Sequence, residues 1–533
     1  FVHQLGVSES CRTGIFCMAH AAMETMTQQH TSKQWKHCIV RRAFVLHGDN
    51  LGHRVVRGAS FTLLGIALRT VMTIGSVSIL ARLLLPADFG YLAMASVVTE
   101  LAMLFGNFGF ASVLIQQRVI NRLQIDTVFW ASALLGFFLT IAVFLLSYVT
   151  SWLFHEPMVG QIMRVLCLNF AIEGLIVVHG ALISRLMRFY ADFWMQFLSM
   201  MCRVLVTIVF AWQGYGVWSF VIGTLTGGVF RLVINVLMIP YRPRLRFNLP
   251  YLKSTWKTNS SYFAGGLLFY ANTNVDLFLI GRMIGATALG YYQNSRSLTD
   301  EVRYRISAPL QRVLFPAFSS LQDNTEWLQL AVLRSGRLLA AFIFPMGIGI
   351  AATANELVPI LYGEKWLAMI PVVKLLGLST ALKGSTAIVT PLFNAANRVA
   401  LSLRYSIFGS IIVVLSVLAA SPWGIEAVAG AIALSALYSL VGYRVGLGLI
   451  GLGWSSVWSM LAPPMFASAL MWGAIEVARV LLAGHLAGWA SLVWYITLGV
   501  IVYTLVLVLS SPIFLGDLKA VLIKLRPTVI QST

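Results

Sequence analysis

The sequence predicts an all-α integral membrane protein of about fourteen transmembrane helices: two six-helix lobes from an internal repeat, followed by two C-terminal helices. Three observations carry this. Hydrophobic residues make up 58% of the 533 and charged residues 11%, against roughly 25% charge in a soluble chain. Apolar runs of about 20 residues, the length that crosses a bilayer core as a helix, recur between residues 58 and 513. One motif is also written twice. LARLLLPADFGYL at 80–92 returns as IGRMIGATALGYY at 280–292, so Arg82, Gly90 and Tyr91 reappear as Arg282, Gly290 and Tyr291 at a spacing of 200.

The runs follow in order. The first half contains 58–83, 90–114, 126–149, 157–181, 189–212 and 216–240. A polar, basic connection at 241–257 leads to 258–281, 293–318, 328–354, 367–393, 402–420 and 423–443, and the last two runs are 455–477 and 489–513. The run at 293–318 is the most charged, with Asp300, Glu301, Arg303 and Arg305. Backbone groups in lipid must be satisfied within the segment, and the runs are too long for barrel strands, so each is expected to be a helix. The repeated motif follows the first run of each half. A second landmark, GYGVWSFV at 214–221, is echoed before the sixth run of the second half by PWGIEAVA at 422–429, with Gly216 answered by Gly424. Landmarks at matching points of the hydropathy pattern argue for duplication, and a duplicated membrane bundle is the usual build of a secondary transporter. The expected organisation is a polar extension over 1–57, an N-lobe over 58–240, a basic linker over 241–257, a C-lobe over 258–449, and two helices with a tail over 450–533.

Charge gives an orientation. With an inside N-terminus, loops on the cytoplasmic side hold fifteen Lys and Arg, among them Arg242, Arg244 and Arg246, while outside loops hold Arg82, Arg282, Lys365 and Arg479. That asymmetry satisfies the positive-inside rule and places both termini in the cytoplasm. One loop dissents, 319–327, which carries Asp323 and Glu326. The net charge of +19 reads as an anchor on anionic inner lipids; basic residues dispersed over loops without a continuous stripe do not suggest nucleic acid. The tail at 515–526 is expected to lie on the inner surface, with Leu518, Val521, Leu522 and Leu525 entering the interface.

Residues 1–57 read as a disordered extension or as sequence upstream of a start at Met18, Met23 or Met26. Their Cys11, Cys17, His20, His30, His37 and Cys38 match no zinc spacing, so no metal and no cofactor is expected. Cys167 and Cys202 are isolated within spans, which argues against a disulfide framework. An enzyme is not expected either, because no Ser/His/Asp or Cys/His arrangement and no phosphate-cradling Gly-rich loop is found.

The candidate chemistry lies in charge placed inside the spans, where each ion should face a wet cavity or a partner. In the first span Thr62, Arg69, Thr73 and Ser76 form one polar face. The seventh offers Asn272, Asn274 and Asp276, the last at the repeat equivalent of Ser76. In the eighth, Arg296, Asp300, Arg303, Ser307 and Gln311 share one stripe, and Glu301, Arg305 and Arg312 another. If the halves pack as lobes, these faces meet across a central cleft with an excess of arginine, suited to an anionic substrate. Arg69, Arg296, Arg303 and Arg305 are the candidate substrate cations, and Asp276 and Asp300 the candidate coupling or gating groups. At the same spacings, Asp300 with Arg296 or Arg303, and Glu301 with Arg305, can simply neutralise one another, which would make the cluster structural. Glu100, Glu173, Arg203, Arg231, Lys374 and Lys383 are weaker candidates, several lying near span ends where long side chains snorkel.

The stretch GYYQNSRSLTDEVRYRISAPLQRVLFPAFSSLQDN at 290–324 closely resembles the segment after the seventh span of bacterial polysaccharide exporters, the family of the colanic acid exporter and related exopolysaccharide and O-antigen flippases. ILARLLLPADFGYLAM and GYGVWSFV resemble their first-half signatures, and the likeness runs over roughly 58–450. The 57-residue extension and the acidic pair Asp300 and Glu301 depart from the pattern. The resemblance implies the multidrug/oligosaccharidyl-lipid/polysaccharide superfamily fold, two six-helix lobes about an axis normal to the membrane. It also implies a flippase moving a polyprenyl-pyrophosphate-linked oligosaccharide across a bacterial inner membrane by alternating access, with H+ or Na+ as coupling ion and other polysaccharide assembly proteins as partners. A small-molecule antiporter of the same fold would favour an acidic, aromatic cleft. A membrane glycan polymerase or ligase is disfavoured by the short outside loops.

Overall fold

A computed structural model describes residues 51–106, 110–117, 120–239, 241–482 and 488–510, together with Gly516, and every regular element among them is helical. The first lobe consists of α1 (Leu51–Leu83), α2 (Pro86–Gly106), α3 (Phe110–Gln116), α4 (Arg122–Phe154), α5 (Pro157–Leu166), α6 (Leu168–Arg185), α7 (Phe189–Trp212) and α8 (Trp218–Met238). The second begins with α9 (Leu249–Met283), α10 (Ala286–Ser319), α11 (Thr325–Ala352) and α12 (Ala354–Tyr362). A 3₁₀ turn at Glu364–Met369 then leads to α13 (Ile370–Ser385), α14 (Val389–Ala395), α15 (Val399–Ala420), α16 (Ile425–Ser435) and α17 (Tyr438–Gly448). Two long helices follow, α18 (Trp454–Leu481) and α19 (Trp489–Ser510).

Among the described residues, each expected run falls on one helix or on consecutive helices. Among the described residues, eleven segments are long and apolar enough to cross a membrane, so this is a multi-pass membrane protein. The expectation of fourteen rests on adding α1, α9 and α10, which have 33, 35 and 34 residues. A helix of that length runs on the order of 50 Å, against about 30 Å of hydrocarbon. These three carry the ionic faces singled out above, and α10 is the most polar of them. Two boundaries move. α1 already begins at Leu51, inside the expected extension, and α9 begins at Leu249, inside the expected linker. There Asn248 caps the helix by accepting from Tyr251 N at 3.1 Å, with a proline in the first turn, a start signal that outweighs the polar residues following it. Residues 1–50 and the expected amphipathic tail lie outside the described residues, Gly516 apart.

The duplication holds in three dimensions. α1 packs on α7 as α9 packs on α15; α7 packs on α8 as α15 packs on α16; and α4 packs on α6 as α11 packs on α13. Gly216 and Gly424 both have positive φ, 53° and 88°, so the second landmark marks a left-handed turn that favours glycine before the sixth span of each lobe. α18 and α19 attach to the second lobe. Tyr503 donates to the Ala341 carbonyl at 2.6 Å, and Arg479 binds both Glu356 oxygens at 2.8 and 3.0 Å and pairs with Glu476.

The repeated motif is where the lobes meet. α2 and α10 pack so closely that a methyl group added at Gly90 would strike the Ala286 carbonyl, and one at Gly290 the Pro86 carbonyl. Pro86 and Ala286 are themselves repeat equivalents, so the contact is a local two-fold. Around it lies a shared apolar core. Leu80, Ala81, Leu84 and Phe89 of the first lobe pack with Val358, Tyr362, Trp366 and Met369 of the second. Trp366 Nε1 donates to the Ala81 carbonyl at 2.9 Å, Arg82 Nη2 to the Ile360 carbonyl at 2.7 Å, and Arg282 contacts His155 Nδ1 at 2.6 Å. A second shared cluster, with Met94, Val97, Leu277 and Tyr292, continues this seal. Towards the opposite end each lobe has its own core, around Ile125, Phe129 and Tyr241 in the first and around Phe318, Phe393 and Tyr443 in the second. The lobes are therefore joined at the end that carries the α1–α2 and α9–α10 turns.

Candidate functional site

Below the seal, α9 and α10 bring four of the predicted site residues into one knot. Arg296 Nη1 donates to both Asp276 oxygens at 3.0 and 3.2 Å, Nε to Asp300 Oδ2 at 3.3 Å, and Nη2 to the Thr273 carbonyl at 2.6 Å. Tyr292, fully buried, donates its hydroxyl to Asp276 Oδ2 at 2.6 Å. Arg303 Nη2 reaches Asp300 Oδ1 at 3.1 Å and its guanidinium lies over the Tyr304 ring at 4.5 Å. The arrangement follows from local geometry, since Arg296, Asp300 and Arg303 sit one turn apart on α10 and Asp276 sits near the end of α9 that turns back onto it. The side chains are mostly out of solvent, at 14% exposure for Arg296 and 12% for Asp276, a setting in which an ion without its partner is strongly disfavoured.

The expected excess of arginine at this place is therefore corrected: Arg296 and Arg303 face Asp276 and Asp300, two cations against two anions. Asp276, with no base at helical spacing in its own helix, receives one from the next. Arg305 pairs with Glu301 and also donates to Thr70 Oγ1 of α1, a single tie from α10 to the first lobe. Arg69 stands apart. It donates Nε to the Gly65 carbonyl at 3.1 Å and Nη1 to Gln196 Oε1 of α7, and Gln196 in turn donates to Asp192 at 2.7 Å. Its partner is an amide oxygen, and its charge has no directly bonded carboxylate among the described contacts.

Two further groups complete the centre. Lys383 of α13 lies within electrostatic reach of Arg303, Asp300, Asp276 and Arg296, and α13 approaches so closely that a Cβ at Gly384 would sit 3.1 Å from Arg303 Cγ. Glu100 of α2 lies within electrostatic reach of Arg296 from the other lobe. A signal for Glu100 was available in the sequence: at the repeat spacing of 200, Thr99-Glu100 answers Thr299-Asp300. Arg303 Nε is buried without a hydrogen-bond partner among the described residues, a donor left over at the edge of an otherwise satisfied cluster. Glu173 and Arg231 pair at 2.8 Å inside the first lobe, away from this centre. Arg303 and Lys383 thus stand together at the edge of the knot, while Arg69 lies apart, tied to α7.

Comparison with known proteins bears on what this centre serves. Residues 79–371, more than half of the chain, match the family described as "Polysaccharide biosynthesis protein". The chain belongs to that family. Among curated relatives of this family member, the lipopolysaccharide biosynthesis protein WzxC of Escherichia coli (strain K12) is 26% identical over 373 residues, covering 67% of this chain and 73% of that protein. The succinoglycan biosynthesis transport protein ExoT of Rhizobium meliloti (strain 1021) is 24% identical over 58% of this chain and 62% of its own length. The teichuronic acid biosynthesis protein TuaB of Bacillus subtilis (strain 168) is 22% identical over 62% and 69%. Among solved structures, the lipid II flippase MurJ in an inward closed conformation superposes with a TM-score of 0.68 at 13% identity, covering 87% of this chain and 99% of that one. An inward-facing multidrug resistance transporter of the MATE family, in the MOP superfamily, gives 0.56 at 15% identity over 72% and 94%. At these identities the structural likeness establishes the fold.

Proposed function

We propose that this protein is a flippase that carries a polyprenyl-pyrophosphate-linked oligosaccharide, the repeat unit of an exopolysaccharide, capsule or O-antigen, across the bacterial inner membrane by alternating access. The observation that supports it most is the charged centre: α1, α2, α9, α10 and α13 converge from both lobes below the seal between α2 and α10. A pyrophosphate needs paired cations, and Arg303, Lys383 and Arg69 are the ones whose donors are least committed. Arg296 serves better as the core of the knot than as a ligand, and Arg305 as the tie to Thr70. The second lobe's α9 packs along α2, whereas the equivalent pair α1 and α10 lacks comparably extensive packing among the described residues. That side leaves a route by which a prenyl chain stays in lipid while its headgroup enters the cleft.

In this reading the cytoplasmic loops are the basic ones, both termini are cytoplasmic, and the cleft opens inward. Asp276 and Asp300 both hold Arg296, so in this reading they are the coupling or gating groups, with H+ or Na+ as the driving ion. The protein acts by transport, without covalent chemistry, and hands its cargo to other polysaccharide assembly proteins. The names of WzxC and ExoT, lipopolysaccharide biosynthesis and succinoglycan biosynthesis transport, support a polysaccharide cargo. Lipid analysis of a deletion strain tests the proposal: a missing flippase leaves complete lipid-linked repeat units on the cytoplasmic leaflet. A strain that assembles surface polymer at the parental rate, with no such accumulation, rules it out.

A further inference from the structure

The connection between the lobes is a built surface. α8 ends at Met238 and α9 starts at Leu249, and the segment between them, 241–248, is tied down onto the start of α4. Tyr241 is buried and donates its hydroxyl to Asp126, itself buried. Arg122 Nη2 donates to the Arg242 carbonyl at 3.1 Å, Trp130 Nε1 to the Arg244 carbonyl at 2.9 Å, and Asn248 N to Thr127 Oγ1 at 3.0 Å. With its backbone held from beneath, the strap turns its side chains out. Arg242, Arg244 and Arg246 are all exposed. A tight turn, in which Arg246 N donates to the Arg244 carbonyl at 2.7 Å, throws Leu245 outward. Leu245 is 88% exposed and Phe247 47%.

Apolar side chains offered outward among three arginines would be unfavourable in bulk water, and they suit the boundary between headgroups and acyl chains. The last turn of α8 exposes Leu237 and Met238 as well, so the apolar surface of that helix leads up to the strap. We propose that the strap 241–248 is a binding site for anionic phospholipid headgroups, with the three arginines on the phosphates and Leu245 and Phe247 inserted below them. The site is independent of the cargo and of which end of the molecule faces the cytoplasm. Its effect would be to hold the inter-lobe connection and the start of α4 in the membrane plane while the lobes move.

The test uses the purified full chain in neutral detergent, given phosphatidylglycerol, phosphatidylcholine or inorganic phosphate at matched concentration. Bound lipid is counted by native mass spectrometry and stability read from tryptophan fluorescence on heating. Phosphatidylglycerol should bind and raise the unfolding midpoint, and the other two should not. An arginine near an anionic surface contributes on the order of fivefold in affinity, so the variant Arg242→Gln/Arg244→Gln/Arg246→Gln should bind phosphatidylglycerol roughly 100-fold more weakly, while the corresponding triple lysine variant keeps most of the binding. Should the glutamine variant fail to fold, high salt applied to the parent should erase the increment instead. Equal effects of phosphatidylcholine, the same shift from inorganic phosphate, undiminished phosphatidylglycerol binding by a folded glutamine variant, or an increment that survives high salt would each overturn the proposal.

Discussion

Gly90→Ala and Gly290→Ala perturb the contact on which the two lobes turn. At each position an added methyl group meets a backbone carbonyl of the other lobe, that of Ala286 or of Pro86, and a carbonyl cannot swing away as a side-chain tip can. Overpacking of this kind costs about 1–3 kcal/mol. The cost falls only on the state in which α2 and α10 touch, so the ratio of sealed to opened molecules should drop by about 5- to 150-fold. Trp212 and Trp423 report it well, being 79% and 76% exposed at equivalent ends of the two lobes beside the seal. Spin labels at those positions, read by double electron–electron resonance, should show a longer distance population appearing in either variant. Because Gly90 and Gly290 are two-fold equivalents, the two variants should respond alike. A distribution identical to the parent in correctly folded variants would refute the reasoning that this contact holds one end closed.

Other expectations follow from the same geometry. Arg296→Ala takes the guanidinium from Asp276, away from solvent, and leaves Asp300 to Arg303, so it should cost about 3–5 kcal/mol, seen as a large fall in thermal midpoint; a midpoint within a degree of the parent would show that the knot is not structural. Arg69→Ala should abolish polymer export while the protein still reaches the membrane, with Arg69→Lys rescuing only in part because an ammonium lacks the planar fork; parental export by Arg69→Ala would remove Arg69 from the substrate path. Lys383→Gln should weaken export without lowering the midpoint, and a variant that loses both in step would mark Lys383 as part of the packing instead. Reporter fusions at residue 250 and at the C-terminus should both read inside, and an outside signal at either would reverse the orientation or change the span count.

Much of the fold is legible in the sequence because lipid removes the alternatives: a long apolar run must satisfy its own backbone, and helix is the solution. The repeat was legible too, in Arg82, Gly90 and Tyr91 against their counterparts, but its meaning was not. Spacing along one chain does not say that Gly90 and Gly290 face each other, only that they are equivalent. The same limit applied to the site. Reading at intervals of three and four residues finds Arg296 with Asp300 and Arg303, all on α10. It cannot find Asp276 for Arg296, Thr70 for Arg305 or Gln196 for Arg69, because those partners arrive on other helices, up to 235 residues away. The predicted arginine-rich cleft thus turned out to be closer to neutral at its centre, and Lys383 gained weight only once α13 was seen beside Arg303.

The most direct measurement of the central claim is transport by the purified protein. Reconstituted into liposomes loaded with a polyprenyl-pyrophosphate oligosaccharide, the protein should expose lipid-linked sugar on the far leaflet, as read by a membrane-impermeant hydrolase or lectin. Liposomes without protein and those carrying Arg69→Ala should not. Equal exposure in protein-free liposomes and in those with the parent protein, with reconstitution verified and several repeat-unit chemistries tried, would contradict the account.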